Sequence, residues 1–365
     1  MPNLLANLST AEFMRDYWQK KPLLIRGAVP EFRSPLSRDE LAGLALEQEI
    51  ESRLVFTEDG PKYRLENGPF SSDRLSSLPS SDWTLLVQDV DKFLPDVAQF
   101  RELVSFIPFW RFDDIMISYA ADGGSVGAHV DLYDVFLLQA QGSRRWEIDT
   151  RENPDLTYDP NQELRVLQKF NPTEEWVLEP GDALYLPPGV PHHGVALGDC
   201  MTWSFGFRAP SFADLGGAVL AEICADWDRE HLYSDADLGA TTTPGEMNPA
   251  ALNRLKVSLL KKLEEYDWSH HLATALSESK PHCQPEGEPT PIQAGVPLRV
   301  DPATRFGYLR SGERCDLYAN GERVAQDIPT EFARALCSPS LTVTWPEEVP
   351  DSLLSLLLER GYLYY

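Results

Sequence analysis

The sequence of 365 residues is poor in cysteine: five are present, and none forms a CxxC pair. Their wide spacing (Cys200, Cys224, Cys283, Cys315 and Cys337) excludes a disulfide framework and a zinc finger, and it favours a reduced, cytosolic chain. Because no run of about 18 apolar residues occurs, no transmembrane helix and no membrane partner are expected. The start, MPNLLANLSTAEF, lacks the basic and apolar segments of a signal peptide. We therefore expect a cytoplasmic protein.

Positive charge is also scarce. Only 32 lysines and arginines face 57 aspartates and glutamates, which gives a formal net charge of −25 at pH 7. Nucleic-acid binding needs a basic face for phosphate contacts, so no direct nucleic-acid partner is expected. The charge suits a basic protein partner, or simply a chain that resists association. With 42% hydrophobic and 24% charged residues, the composition is that of a globular protein and excludes global disorder.

The patterns along the chain predict five consecutive parts. They are an N-terminal segment of helices and strand that packs on a barrel (1–95), a strand-rich barrel (96–208), a helical region (209–280), a Pro-rich linker (281–297) and a small C-terminal module (298–365).

The barrel is predicted from short strand candidates rich in Val, Ile, Phe, Trp and Tyr, separated by Gly, Pro and Asp turns. These candidates are DIMISYA (114–120), YDVFLLQ (133–139), RRWEID (144–149), EWVLEPGDALYLP (175–187) and TWSFGFR (202–208). The spacing favours an antiparallel sandwich or barrel. No helical pattern alternates with the strands, which argues against a doubly wound parallel sheet.

Helices are predicted outside the barrel. Thr10 is a candidate N-cap for AEFMRDYWQ, whereas PFSSDRLSSLPSSDW (69–83) is predicted to be a loop. In NPAALNRLKVSLLKKLEEY a leucine stripe (Leu252, Leu255, Leu259 and Leu263) either packs on its own domain or forms a dimer. Near the C-terminus, a hairpin turning at Asn320-Gly321 beside two short helices resembles a winged-helix module. In so acidic a chain, such a module would contact protein rather than DNA.

Two histidine motifs predict a metal site. His129 and Asp131, in GGSVGAHVDLYDVF, are two residues apart, so in a strand both project from one face. His192 and His193 follow the Pro-Gly turn of LEPGDALYLPPGVPHHGVAL. Two histidines and one carboxylate form the facial triad of non-haem Fe(II) oxygenases. The alternatives are a zinc site in a cupin-like barrel and histidines that merely satisfy polar groups at a rim.

Alternation along strands separates neighbouring candidates. Only one of His192 and His193 can be a ligand, and we choose His192, which directly follows Pro191. In SRRWEI, Arg144 shares a face with the apolar Trp146, so Arg144 is predicted to be the inward arginine. A buried arginine would recognise the distal carboxylate of 2-oxoglutarate, if that is the co-substrate. The alternative is that Arg144 and Arg145 are both solvated edge charges.

These motifs resemble those of the JmjC-domain ribosomal oxygenases, in particular the bacterial arginine hydroxylases of large-subunit (50S) ribosomal protein sixteen. The likeness begins at YWQKKPLLIRG, runs through GGSVGAHVDLYDVFLLQAQGSRRW and EPGDALYLPPGVPHHGVAL, and closes at SFGFRAP. It implies an α+β fold: a double-stranded β-helix (a cupin-like jelly roll) with a helical N-terminal part, a helical dimerisation region and a C-terminal winged helix. One departure is that the family often reads PHEG where this chain has PHHG, which leaves a swap to His193 possible.

The resemblance also implies the site and the reaction. It places Fe(II) on His129, Asp131 and His192, the 2-oxoglutarate on Arg144, and Ser204 near the co-substrate. The expected activity is a 2-oxoglutarate- and Fe(II)-dependent dioxygenase, a ribosomal protein arginine 3-hydroxylase acting as a homodimer on a basic large-subunit protein. Asp122 and Tyr133 are candidate substrate-binding residues, because a guanidinium is recognised by carboxylates and aromatic faces.

Other functions remain open at this level. Within the JmjC class they are hydroxylation of a ribosomal-protein histidine and lysine demethylation; a pocket rich in carboxylates would favour arginine or lysine over histidine. Outside that class they are a non-catalytic JmjC-like binding scaffold and a zinc cupin. A scaffold has no need of the full His129, Asp131, His192 and Arg144 set, and a zinc cupin offers no use for Arg144.

Overall fold

The computed structural model describes residues 3–58, 62–230, 232–236, 238–293 and 295–365. Its centre is a nine-stranded sheet in which every named pair of strands is antiparallel, as the strand spacing predicts. The strands are β1 (Leu23–Ile25), β2 (Ser52–Thr57), β3 (Tyr63–Asn67), β4 (Trp83–Val87), β5 (Phe112–Ala120), β6 (Val135–Ile148), β7 (Glu174–Leu178), β8 (Ala183–Leu186) and β9 (His192–Phe207). Their order across the sheet is β1-β8-β6-β9-β5-β4-β2-β3, and β7 pairs with β6.

Two long, bent strands shape this sheet. The predicted strands 133–139 and 144–149 form one continuous strand, β6, whose register with β9 shifts between Gln139 and Ser143. The first half of β6 pairs with β8 and with the end of β9, and its second half pairs with β7 and the start of β9. Bulges of this kind bend a strand and increase its twist. The prediction of two strands was wrong because the bulge residues resemble a turn.

The first hundred residues contribute both helices and sheet. The helices are α1 (Thr10–Asp16), α2 (Arg38–Leu44), α3 (Ser72–Ser76), α4 (Val90–Phe93) and α5 (Pro95–Ala98), followed by a 3₁₀ turn (Gln99–Val104). The cap of α1 is Ser9, whose Oγ accepts the Glu12 N–H, rather than Thr10. Residues 69–83, predicted to be a loop, contain α3 and the start of β4. Strands β2 to β4 belong to the main sheet and share its aromatic core with Phe13 of α1.

A helical segment follows the sheet, as predicted. It contains α6 (Phe212–Asp226), α7 (Pro249–Glu264) and α8 (Ser269–Ser277), then a 3₁₀ turn (Pro281–Cys283). No residue of α7 is buried, and its leucines at positions 252, 255 and 259 are about half exposed. Among the described residues, no helix has the length and apolar character needed to cross a membrane.

The C-terminal residues form a separate core. Its elements are β10 (Leu298–Val300), β11 (Phe306–Ser311), β12 (Arg314–Ala319), β13 (Glu322–Pro329), α9 (Thr330–Leu336), β14 (Thr342–Val343), α10 (Asp351–Glu359) and β15 (Leu363–Tyr364). The predicted hairpin is confirmed: β12 and β13 turn at Asn320 and Gly321, both with positive φ. A two-residue turn of this type requires positive φ at both positions, which Asn and Gly tolerate.

Candidate metal and co-substrate site

Three of the predicted ligands meet at one point. His129 and Asp131 lie in the connection between β5 and β6, and His192 begins β9. Two backbone hydrogen bonds of 3.0 Å join His129 to His192, and the Gly189 N–H donates to the Asp131 carbonyl at 2.8 Å. One ligand atom from each side chain lies within 4.8 Å of the others. The chain thus brings together two imidazoles and a carboxylate from segments about 60 residues apart.

Both imidazoles present the same nitrogen to the carboxylate. His129 Nε2 lies 3.9 Å and His192 Nε2 3.6 Å from the Asp131 oxygens. The Nδ1 atoms lie 2.9 Å from the carbonyls of Gly127 and Val190, so each Nδ1–H donates to a carbonyl and leaves Nε2 with a free lone pair. Burial, reinforced by His129, lowers the pKa of His192 to about 4. At neutral pH His192 is therefore a neutral imidazole, the form that binds a metal ion.

His193 faces away from this cluster. Its Nδ1 lies 3.0 Å from Glu147 Oε2, and its ring contacts Phe170 edge to face. Adjacent residues of β9 project to opposite sides, which is why His192 and His193 separate. The geometry therefore favours His192 over His193 as the metal ligand, a question that the PHHG sequence leaves open.

The three side chains open into a cavity of about 510 Å³ inside the barrel, which Arg144 also lines. Arg144 is only 4% exposed, and its guanidinium lies beside the Trp146 ring. Its Nε and Nη2 atoms are buried without a hydrogen-bond partner among the described residues. Leaving charged donors buried and unpaired is costly, so an anion is expected to meet them. A dicarboxylate with one end at the His129, Asp131 and His192 cluster and the other at Arg144 fits this donor set.

The remaining predicted residues divide between the cavity and the surface. Ser204 on β9 is 7% exposed and lines the cavity, as does Tyr133, whose side chain is partly exposed at its mouth. Asp122 is not brought to this cavity. Its carboxylate accepts the Gly198 N–H at 2.7 Å in a turn, which matches the ordinary structural role of a turn aspartate.

Asp114 is a cavity residue that the sequence reasoning missed. It lies on β5, is 6% exposed and lines the same cavity as the two histidines. Burial raises the pKa of its carboxyl to about 7; Asp89 and Asp113 add to the rise, and Lys280 opposes it. The two-residue alternation of DIMISYA could have predicted that Asp114 points inward, because Asp114 and Met116 share a face of the strand. An aspartate on the apolar face of a core strand is unusual and indicates a functional role.

Comparisons with known proteins agree with this geometry. Residues 99–215 match the family model of the JmjC domain. The chain is 32% identical over 98% of both chains to the ribosomal protein uL16 3-hydroxylase of Escherichia coli, and 33% identical to a probable ribosomal oxygenase of Haemophilus influenzae, over 95% of this chain and 92% of the relative. A solved structure of YcfD, a ribosomal oxygenase from Escherichia coli in complex with cobalt and 2-oxoglutarate, superposes with a TM-score of 0.83, at 32% identity and 98% coverage of each chain. With its cupin-like barrel of antiparallel strands, the chain belongs to the JmjC-domain ribosomal oxygenase family.

Proposed function

We propose that this protein is an Fe(II)- and 2-oxoglutarate-dependent hydroxylase that modifies an arginine side chain of uL16, large-subunit ribosomal protein sixteen. One observation carries the proposal. The cavity that holds the His129, Asp131 and His192 cluster also contains the buried guanidinium of Arg144, whose Nε and Nη2 have no hydrogen-bond partner among the described residues. Relatives that match this chain over almost their whole length include a uL16 3-hydroxylase. Because ribosomal proteins are the proposed substrates, we also propose that the enzyme acts in the cytoplasm.

Each cavity residue has a role in this proposal. His129 and His192 would hold the iron through Nε2, and Asp131 would hold it through its carboxylate. Arg144 binds the distal carboxylate of 2-oxoglutarate with its free N–H groups, and Ser204 lies on the same cavity wall. When bound, the iron and 2-oxoglutarate supply the oxygen chemistry. The apolar side chains of Val135, Leu137 and Trp146 keep water from that region.

A carboxylate in the cavity supports an arginine as the target. Asp114 offers a buried acceptor for a guanidinium, and Tyr133 at the mouth offers an aromatic face. Asp122, hydrogen-bonded in its turn away from the cavity, has no part in the proposal. A lysine would also pair with Asp114, so lysine demethylation is the alternative within the class; a histidine substrate would call for neutral polar groups instead.

Two alternatives of another class fit less well. A binding scaffold would leave the guanidinium of Arg144 buried with no ligand to satisfy it. A zinc cupin would use the histidines, but it would not use a buried cation in the same cavity.

The finer architecture is also part of the proposal. We assign residues 1–95 to a segment that packs on the barrel and completes its sheet, 96–208 to the catalytic barrel and 209–280 to a helical dimerisation region. Residues 281–297 are the linker, and 298–365 form the winged-helix module. Helix α7 supports a homodimer, since it exposes leucines along a helix that buries no residue of its own. A surface of this kind usually contacts another chain.

The proposal is tested by incubating the purified protein with Fe(II), 2-oxoglutarate and purified uL16. We expect succinate formation and one peptide heavier by the mass of one oxygen atom, with the added oxygen on an arginine. EDTA should abolish both signals. Oxidation of a histidine, or loss of a methyl group from a lysine, would identify the alternative substrates. Succinate formation that no ribosomal protein stimulates would contradict the substrate assignment.

A further inference from the structure

We propose that Lys280 is a positioning residue for substrate binding. It holds the side chain of Asp114 in place as a charged carboxylate, and this carboxylate binds the cationic side chain of the substrate. This inference rests on the proposed function and adds a residue outside the barrel to the active site. Lys280 follows α8, in the segment that leads to the C-terminal module, whereas Asp114 lies inside the barrel on β5.

The Lys280 ammonium ion is shared by three carboxylates. Its Nζ lies 2.9 Å from Asp89 Oδ1, 3.3 Å from Asp113 Oδ2 and 3.7 Å from Asp114 Oδ2. The backbone N–H of Asp89 also donates to Asp114 Oδ2 at 3.2 Å, so Asp89 and Lys280 meet the same oxygen of Asp114. These contacts fix the direction of the Asp114 side chain from behind the cavity.

Asp114 depends on Lys280 more than its neighbours do. Asp89 also pairs with Lys92, and Asp113 also faces Arg208 at 3.2 Å and Arg305 at 3.7 Å. For Asp114, the ion pairs within the described part of the chain are confined to Lys280. Removing this cation would leave Asp114 buried beside two other carboxylates.

The charge balance around Asp114 gives the direction of the effect. The groups that act on it are Lys280 and Lys92, which favour its ionised form, and Asp89 and Asp113, which oppose it; Tyr133 faces it from the mouth of the cavity. Burial and the two carboxylates already bring the pKa of Asp114 to about 7. Without Lys280 that pKa rises above neutrality, and a protonated carboxyl loses its charge-assisted pairing with a guanidinium.

The kinetic test compares Lys280→Met with Lys280→Arg and with Lys92→Met, a matched control that removes a cation paired with the same Asp89. At pH 7.5 we expect Lys280→Met to raise KM for the arginine-bearing substrate about threefold or more. A rise of one unit in the pKa of Asp114, from about 7, lowers its ionised fraction at this pH from about three quarters to about one quarter. KM for 2-oxoglutarate and kcat should stay within about twofold, and the acid limb of kcat/KM should move to higher pH. Lys280→Arg should restore the wild-type values. Lys92→Met should shift the limb much less than Lys280→Met does, because Lys92 acts on Asp114 more weakly than Lys280.

A purely structural role for Lys280 predicts another result. Lys280→Met and Lys92→Met would then lower the melting temperature alike and leave both pH profiles in place, and this outcome would overturn the proposal. Should Lys280→Met fail to fold by circular dichroism, Lys280→Gln takes its place. In an Asp114→Asn background, Lys280→Met should add nothing to KM, as expected for two residues that act as a unit; an additive effect would contradict the link.

A second measurement does not need turnover. Carboxyl resonances of ¹³C-aspartate-labelled protein are titrated, with Asp114→Asn identifying the signal. The apparent pKa of Asp114 should rise by about one unit or more in Lys280→Met and by much less in Lys92→Met, whose cation acts on Asp114 more weakly. An unchanged titration refutes the role of Lys280 even if the wild-type enzyme hydroxylates uL16. A shifted titration in a protein that does not hydroxylate uL16 instead locates the failure in the proposed function.

Discussion

At the scale of single residues, neighbours in the sequence have opposite roles in this site. His192 faces Asp131 and His193 faces Glu147, while Arg144 is buried in the cavity and Arg145 lies on the other side of β6. Both contrasts follow from the two-residue period of a strand. Each pair therefore supplies its own control for mutagenesis.

Replacing His129 or Asp131 with alanine is expected to abolish both metal binding and 2-oxoglutarate turnover. Each change removes one of three ligand atoms, while the backbone hydrogen bonds between the two segments remain. Co(II) titration by calorimetry and succinate release measure the loss, and circular dichroism shows that the fold persists.

His193→Ala is the matched control, because it removes an imidazole next to the cluster but not in it. It should bind Co(II) with wild-type stoichiometry. If His193→Ala lost the metal while His192→Ala kept it, the assignment of the ligands would be reversed.

Arg144→Ala is expected to raise KM for 2-oxoglutarate strongly, while metal binding is unchanged. The change removes charge-assisted hydrogen bonds worth about 1.5–3 kcal/mol each, so a rise of at least about tenfold follows. Arg145→Ala should leave KM near its wild-type value. Both constants are measured by succinate release over a range of 2-oxoglutarate concentrations. Equal effects of the two substitutions would contradict the assignment of Arg144 as the residue that binds the distal carboxylate.

At the scale of elements, the site depends on how closely β6 and β9 approach. Gly194 on β9 lies opposite Trp146 on β6, and a Cβ atom at Gly194 would come within 2.7 Å of the Trp146 ring. Trp146 in turn lies beside both His192 and Arg144. A glycine at this position thus leaves room for the tryptophan ring beside both His192 and Arg144.

Gly194→Ala is therefore expected to displace Trp146. Overpacking of this kind costs about 1–3 kcal/mol in the free energy of unfolding, and KM for 2-oxoglutarate should rise as well. Urea unfolding and succinate kinetics measure the two effects. Gly307→Ala on β11, where a Cβ would meet no atom within 4 Å, should change neither. Wild-type kinetics in Gly194→Ala would show that 2-oxoglutarate binding does not depend on the position of Trp146.

At the scale of the whole molecule, the two largest hydrophobic clusters among the described residues lie in different parts of the chain. One cluster joins the main sheet to the N-terminal helices, and the other lies in the C-terminal module. A smaller cluster includes Trp146 and other residues that line the cavity. Helix α7 belongs to none of these clusters, since none of its residues is buried. Apolar side chains in such a position gain free energy only by contact with a second surface.

The double substitution Leu255→Asp and Leu259→Asp is expected to convert a dimer to a monomer. Two carboxylates on the apolar side of α7 would have to be buried at the interface, which is unfavourable. Light scattering after gel filtration gives the mass. The pair Asn253→Asp and Ser258→Asp adds the same charge at polar positions and should leave the dimer intact. A wild-type protein of about 41 kDa in solution would contradict the dimer.

Much of this protein was determined by local sequence. The antiparallel strands, the Asn320-Gly321 turn and the inward direction of Arg144 depend on propensity, turn chemistry and a two-residue period, which a short segment carries by itself. Tertiary structure alone decided the rest. It made strands β2, β3 and β4 part of the main sheet, and it merged two predicted strands into β6. It also placed Asp122 away from the cavity and brought Lys280 close to Asp114. These outcomes depend on contacts between residues far apart in the chain, whose charges and packing act on each other only once the chain has folded.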